Sequence, residues 1–320
     1  MWYVRRTSAC VLALAAVLLA APGARGEKEK ELLKTKARVA YLTADGQVLA
    51  AASNENVRLV YLDIKKSRLL RKKYEPIYLS PAGDALATVA IQPDGDSAVS
   101  LYDVATAKGK GLVKLPPAAD IAFCVSPGGK TCVYGTRKDL VVIDVATAKG
   151  TQTLKDGGGQ PWSTSFSPDG KLLACGTGSQ KYQVTVWNMA TFKPMHTFKN
   201  MPNVVQGVAF SQDSKLLAAS SDEDVKVWDV ATGNVVQSFR GPKDKLMRGV
   251  AFGNNGKILA SACSNGIVTL WDTATGKTLD TINIGVEAMR VSMSADGKVL
   301  AVTAGDQMAR VYDVSALVGK

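Results

Sequence analysis

Hydrophobic and polar positions alternate over short stretches of this chain, as in Val225-Lys226-Val227-Trp228, where the period is two. Such runs, rich in β-branched and aromatic residues, predict half-buried strands. Turn chemistry separates them. Ser167-Pro168-Asp169-Gly170, Thr43-Ala44-Asp45-Gly46 and Ser294-Ala295-Asp296-Gly297 predict tight turns between first and second strands. In the first of these Pro presets the opening turn position and Asp tolerates the next, while in all three Gly accepts positive φ. The pattern also repeats at long range. Val208-Ala209-Phe210 through Trp228-Asp229 returns as Val250-Ala251-Phe252 through Trp271-Asp272, and weaker copies fill the rest. A mostly acidic position closes each copy: Asp63, Asp103, Asp144, Asn188, Asp229, Asp272 and Asp313, at intervals of 40, 41, 44, 41, 43 and 41 residues. These side chains read as turn caps rather than catalytic groups.

The repeat resembles the WD40 family, most clearly at Trp187-Asn188, Trp228-Asp229 and Trp271-Asp272. Leu62-Asp63, Tyr102-Asp103, Ile143-Asp144 and Tyr312-Asp313 are degenerate forms. The resemblance implies an all-β, seven-bladed β-propeller of four-stranded antiparallel blades. The chain ends seven residues after Asp313, too soon for another strand, whereas Glu31 to Lys36 forms a spare strand at the other end. That N-terminal strand is expected to complete the last blade and close the ring, so that residues 27–320 form one propeller. One family element is missing. There is no Gly-His dipeptide and only one histidine, His196, so the family's buried Asp-His-Ser/Thr-Trp network cannot form. His196 falls in a predicted outer strand and reads as structural or solvent-facing.

The N-terminus has a different pattern. A basic start (Arg5, Arg6), an apolar run from Ala9 to Ala21 and small residues to Gly26 have the order of a signal peptide. The run is 13 residues long, short of the ~20 needed to span a bilayer. Cleavage at or just before Gly26 implies export to the periplasm or the exterior. Cys10 precedes the apolar run, which argues against a lipoprotein anchor. Removing residues 1–26 takes Arg5, Arg6 and Arg25 from a net formal charge of +11, leaving +8. That balance favours anionic partners such as polyanionic envelope polymers, membrane surfaces or nucleic acid, and export makes nucleic acid the least favoured of these. Of Cys124, Cys132, Cys175 and Cys263, only the first two flank one turn and could pair; buried free thiols are the default expectation.

Reactive constellations are scarce. One histidine excludes two-histidine metal sites, and neither H-E-x-x-H nor G-x-S-x-G occurs. Gly129-Lys130-Thr131 and Gly276-Lys277-Thr278 lack the glycine five residues earlier that a phosphate loop needs. Gly157-Gly158-Gly159 leads into no helix and reads as a connection. No cofactor or metal is expected, and the chain is expected as a monomer.

Two features suggest binding. In the WD40 family, partners commonly dock around the mouth of the central channel. The residues leading into each inner strand are Arg38, Glu75, Ile121, Trp162, Gln206, Arg248 and Met289, a mixture with hot-spot character. Arg38, Trp162, Gln206, Arg248 and Met289 are the candidates for a partner-binding face, with apolar packing between blades the plainer explanation. The second feature is a basic run: Lys65, Lys66, Arg68, Arg71, Lys72 and Lys73, continued by Lys34 and Lys36 on the seventh blade and Lys108, Lys110 and Lys114 on the second. It is either a face for an anionic partner or protection of a sheet edge. The leading function is a non-catalytic protein–protein interaction scaffold outside the cytoplasm. The alternatives are a hydrolase, lyase or quinone-dependent dehydrogenase using the channel, or an envelope carbohydrate- or polyanion-binding module.

Overall fold

The computed structural model describes residues 30–72, 75–91, 97–115, 122–155, 157–179 and 181–318. The leader expected at 1–26, Cys10, Lys73 and Ile121 lie outside the described residues. The described strands form seven four-stranded antiparallel sheets, the blades. Blade five is typical: innermost Val205–Phe210, then Leu216–Ser221, Asp224–Asp229 and outermost Val235–Arg240. Blade seven takes three strands from residues 288–313, and its outer strand is Lys30–Lys36 from the far end of the chain. The expected ring closure is therefore present. Lys34 pairs with Arg310 and Lys36 with Met308. Further bonds cross the seam, from Leu42 N–H to Ser292 Oγ at 2.9 Å and from Ala295 N–H to the Ala44 carbonyl at 2.7 Å.

The alternation seen in the sequence works on both faces, because each blade packs between two neighbours. Ala218, Val225 and Val227 face blade six, joining Phe252 and Leu259, whereas Leu217, Ala219 and Trp228 face blade four, joining Val184 and Val186. Burial on both faces leaves polar residues chiefly on turns and outer strands.

A hydroxyl organises the first turn of most blades. Thr43, Ser80, Ser167, Ser211 and Ser294 each accept the N–H five residues on. Each also donates to a carboxylate of the same turn, Asp45, Asp84, Asp169, Asp213 or Asp296, at 2.5–2.6 Å. Ser126 makes the backbone bond alone, and in blade six Gly253 stands at this position. These local networks satisfy backbone groups without histidine. One contact of the kind the resemblance implies is present, since Trp271 Nε1 donates to Ser261 Oγ at 2.8 Å.

One expectation changes, and two readings gain detail. In blade one, strand register places Val60 opposite Leu49 and Tyr61 opposite Val48, so Tyr61 and not Asp63 holds the closing position. The following Lys65-Lys66 supplies no threonine for a cap, and Asp63 stands two residues further into the turn. The Cys124–Cys132 pairing is also excluded. Cys124 lies opposite Val133 and Cys132 opposite Val125, so the thiols point to opposite faces of the sheet. Cys124 packs between blades three and four, and Cys132 packs between blades two and three. All four described cysteines are buried and unbridged, and burial pushes the Cys132 and Cys175 thiols up to about 12. Finally, His196 ties two blades together: its Nε2–H donates to the Val230 carbonyl at 2.9 Å. It lies over Gly233, where φ is +74° and an added Cβ would sit 2.7 Å from the ring.

Candidate functional site

Inner strands start, and second strands end, on the same face of the ring, because Val39 pairs with Ala52 and Val205 with Ser221. Hairpins such as Ser53–Asn56 and Gly305–Gln307 therefore share the mouth with the residues leading into the inner strands. In blades four to seven these strands carry one extra residue. Register shifts fall between Pro161 and Ser163, Val205 and Gly207, Met247 and Gly249, and Ala288 and Arg290. The unpaired residues are Trp162, Gln206, Arg248 and Met289. A bulge re-aims its side chain out of the alternating pattern, so four candidates occupy one equivalent position on four consecutive blades. Gly207 and Gly249 draw these positions together: an added Cβ would lie 3.2 Å from Gly249 Cα and 3.4 Å from Arg290 Cα respectively.

Their surroundings differ. Trp162 is half-buried and lies over Gly178, where an added Cβ would be 2.7 Å from the indole. Gln206 is half-buried, and Met289 is 38% exposed. Arg248 is engaged across the blade boundary, with Nε and an Nη both on one Glu287 oxygen at 2.8 and 2.7 Å. Partly exposed pairs of this kind contribute at most about 1 kcal/mol, so the pair chiefly fixes where its charges stand. Arg38 is exposed on blade one. Beside it a groove of about 220 Å³ crosses the seam, lined by Lys36, Arg38, Asn54, Glu55, Asp306 and Met308. Glu75, at the same position in blade two, is instead buried, its carboxylate 3.7 Å from Arg71.

Sequence reasoning missed Glu287, Gly178 and the seam residues Asn54 and Gln307, whose side chains bond at 2.8 Å. The signal was available in part, since each hairpin follows the second strand of a recognisable repeat.

The basic run lies at the opposite radial end, on the outer edge of blade one, and its members have different roles. Arg68 donates to the Thr106 carbonyl of blade two at 2.8 Å. Arg71 donates to Ser100 Oγ and stands 5.8 Å from the Tyr102 ring centroid. These two arginines tie blades one and two together. Lys65, Lys66 and Lys72 are exposed.

Four of the repeated acidic residues cap their turns in the same way. Asp103, Asp144, Asp229 and Asp272 each accept the N–H and hydroxyl of the threonine three residues on, at 2.6–2.9 Å. The Thr106 N–H, its hydroxyl and Lys110 hold the Asp103 carboxyl at about 2, below its ordinary 3.8. A depressed carboxylate stabilises the fold above its ordinary value, and that contribution is lost as pH falls toward the folded value. The melting temperature is therefore expected to fall between about pH 4 and pH 2, and Asp103→Asn should flatten part of that fall. Parallel melting curves for the two proteins would refute the assignment. Among the described residues, no three His, Cys, Asp or Glu side chains converge as a metal site, and no helix is long and apolar enough to cross a membrane.

Comparison with known proteins follows the same repeats. Residues 150–188 and 192–229 match the family described as "WD domain, G-beta repeat", and residues 240–294 match the "Anaphase-promoting complex subunit 4 WD40 domain". The chain is 25% identical over 200 residues to COMPASS component SWD3 of Saccharomyces cerevisiae, covering 59% of this chain and 62% of that protein. It is 28% identical to a WD repeat-containing protein of Synechocystis sp., covering 52% and 48%. It thus spans less than two thirds of these relatives. Among solved structures, a chain of the mitotic checkpoint complex superposes with a TM-score of 0.75 at 18% identity, covering 96% of this chain and 99% of that one. The Myceliophteria thermophila Cps50 (Swd1) β-propeller domain superposes at 0.74 and 13% identity, covering 90% and 100%. At such identities the likeness shows the fold.

Proposed function

We propose that this chain, a β-propeller of the WD40 family, is a non-catalytic platform that holds a protein partner across the mouth of its channel. The observation that carries this reading is the bulge repeated in blades four to seven. It turns Trp162, Gln206, Arg248 and Met289 onto one rim, where the strand pattern alone would bury them or aim them elsewhere. A half-buried tryptophan, an exposed methionine and a positioned arginine are the residue types that anchor protein interfaces. The matched relatives agree in kind: one is named as a component of a complex, and one structural neighbour was solved within a complex. The basic and apolar leader in the sequence supports placing this platform outside the cytoplasm.

Trp162→Ala combined with Met289→Ala is expected to abolish capture of the partner from extract of the source cell, while the melting temperature falls by only a few degrees. Both side chains are partly exposed, so a fold penalty far below that of a core truncation is expected. Capture of the same proteins in the same yield by the folded double variant would overturn the proposal.

A further inference from the structure

We propose that the outer edge of blades seven, one and two is a docking face for an anionic lipid bilayer, with blade one at its centre. The first observation is charge. Residues 30–36, 63–72 and 103–115 cover the described outer strands of these blades, with the preceding turns in blades one and two, and carry eleven lysines and arginines against three acids. One of those acids, Asp103, is already bonded to Lys110 at 3.1 Å. The corresponding stretch of blade five, residues 229–240, carries one acid and one base.

The second observation is apolar exposure within that charge. Ile64 and Leu69 are 56% and 50% exposed on the edge of blade one, Leu112 is 60% exposed on blade two and Leu32 is 41% exposed on blade seven. Lysines alone would be explained by edge protection, because charge on an outer strand deters pairing with another sheet. A protective edge does not display isoleucine and leucine among its lysines, since such a strand invites the association that the charges should prevent. A soluble polyanion would satisfy the lysines and leave the apolar side chains in water. A bilayer satisfies both, with lysines among anionic headgroups and the apolar side chains entering the interface.

Local contacts divide the basic residues into two groups. Arg68 and Arg71 are held against blade two, so they stiffen the edge, while Lys65, Lys66 and Lys72 are exposed and make no ion pair among the described residues.

The test is flotation of the chain from residue 27 onward with phosphatidylglycerol–phosphatidylcholine vesicles, with pure phosphatidylcholine vesicles and a heparin column in parallel. Binding is expected to the anionic vesicles only, weakening with salt. Each lysine near an anionic surface is worth about 1 kcal/mol, so the triple variant Lys65→Gln, Lys66→Gln, Lys72→Gln should bind about a hundredfold more weakly. Ile64→Ser with Leu69→Ser should weaken vesicle binding about tenfold and leave heparin retention unchanged. Val235→Ser with Val236→Ser, on the exposed but uncharged edge of blade five, should change neither, and all variants should melt with the wild type. Failure to float with anionic vesicles at low salt would overturn the proposal. So would unchanged vesicle binding by the Ile64/Leu69 variant, which would assign the face to a soluble polyanion instead.

Discussion

Deleting residues 27–36 is expected to destroy the cooperative fold, lowering the melting temperature by more than 15 °C or leaving an aggregated chain. Lys30–Lys36 is the only strand of blade seven that comes from the other end of the sequence, so its loss opens the ring at a single seam. The ladder opposite Met308–Asp313 disappears, and with it the cover over Ala309 and Val311, which pack with Leu33, Ala37 and Ala301. Each backbone bond contributes about 1 kcal/mol net and exposed apolar area adds to the loss. The sum is comparable to the whole stability of an ordinary domain, about 5–15 kcal/mol. The newly bared strand would also offer an unpaired edge for aggregation. Adding Lys-Glu-Leu-Leu-Lys-Thr-Lys after Val318 of the truncated chain should recover most of the loss, because the strand can then return by a hairpin, as in the other six blades. A deletion variant melting within a few degrees of the intact chain would disprove closure by this strand.

The second large effect is expected at Trp187. Its indole is 1% exposed between blades three and four, packed among Cys124, Val133, Leu140, Leu154 and Phe166. Trp187→Ala should cost about 3–5 kcal/mol, because the flanking sheets cannot collapse into the cavity. Trp187→Phe should cost much less than its loss of volume suggests. The buried Nε1 has no hydrogen-bond partner among the described residues, so phenylalanine relieves a desolvation penalty of about 1–3 kcal/mol. Urea unfolding measures both, and similar losses for the two variants would contradict this explanation.

Much of this fold was legible in the chain because strand alternation and turn chemistry are local properties. Ser-Pro-Asp-Gly at 167–170 states its own geometry, and the hydroxyl–carboxylate bond between Ser167 and Asp169 follows from it. The scheme failed where a local signal was missing. Blade one lacks the threonine after its turn, so the acidic marker at Asp63 pointed two residues past the true position at Tyr61. The parity of Cys124 and Cys132 depends on how many residues the intervening turn consumes, and a shift of one residue sends a side chain to the other face. The lead-in positions could be counted from the repeat. What could not be read was that four of them are bulged, or that Arg248 meets Glu287, 39 residues away in the next blade. The basic run was plain as charge, but its division into two inter-blade arginines and three free lysines is a matter of tertiary packing.

The claim that the bulged rim receives the partner is tested most directly by placing a photoreactive p-benzoylphenylalanine at position 206 and, separately, at position 149 on the outer edge of blade three. Illumination in extract of the source cell should yield a covalent partner adduct from position 206 and none from position 149. An adduct from position 149 with none from position 206 would contradict docking at the mouth of the channel.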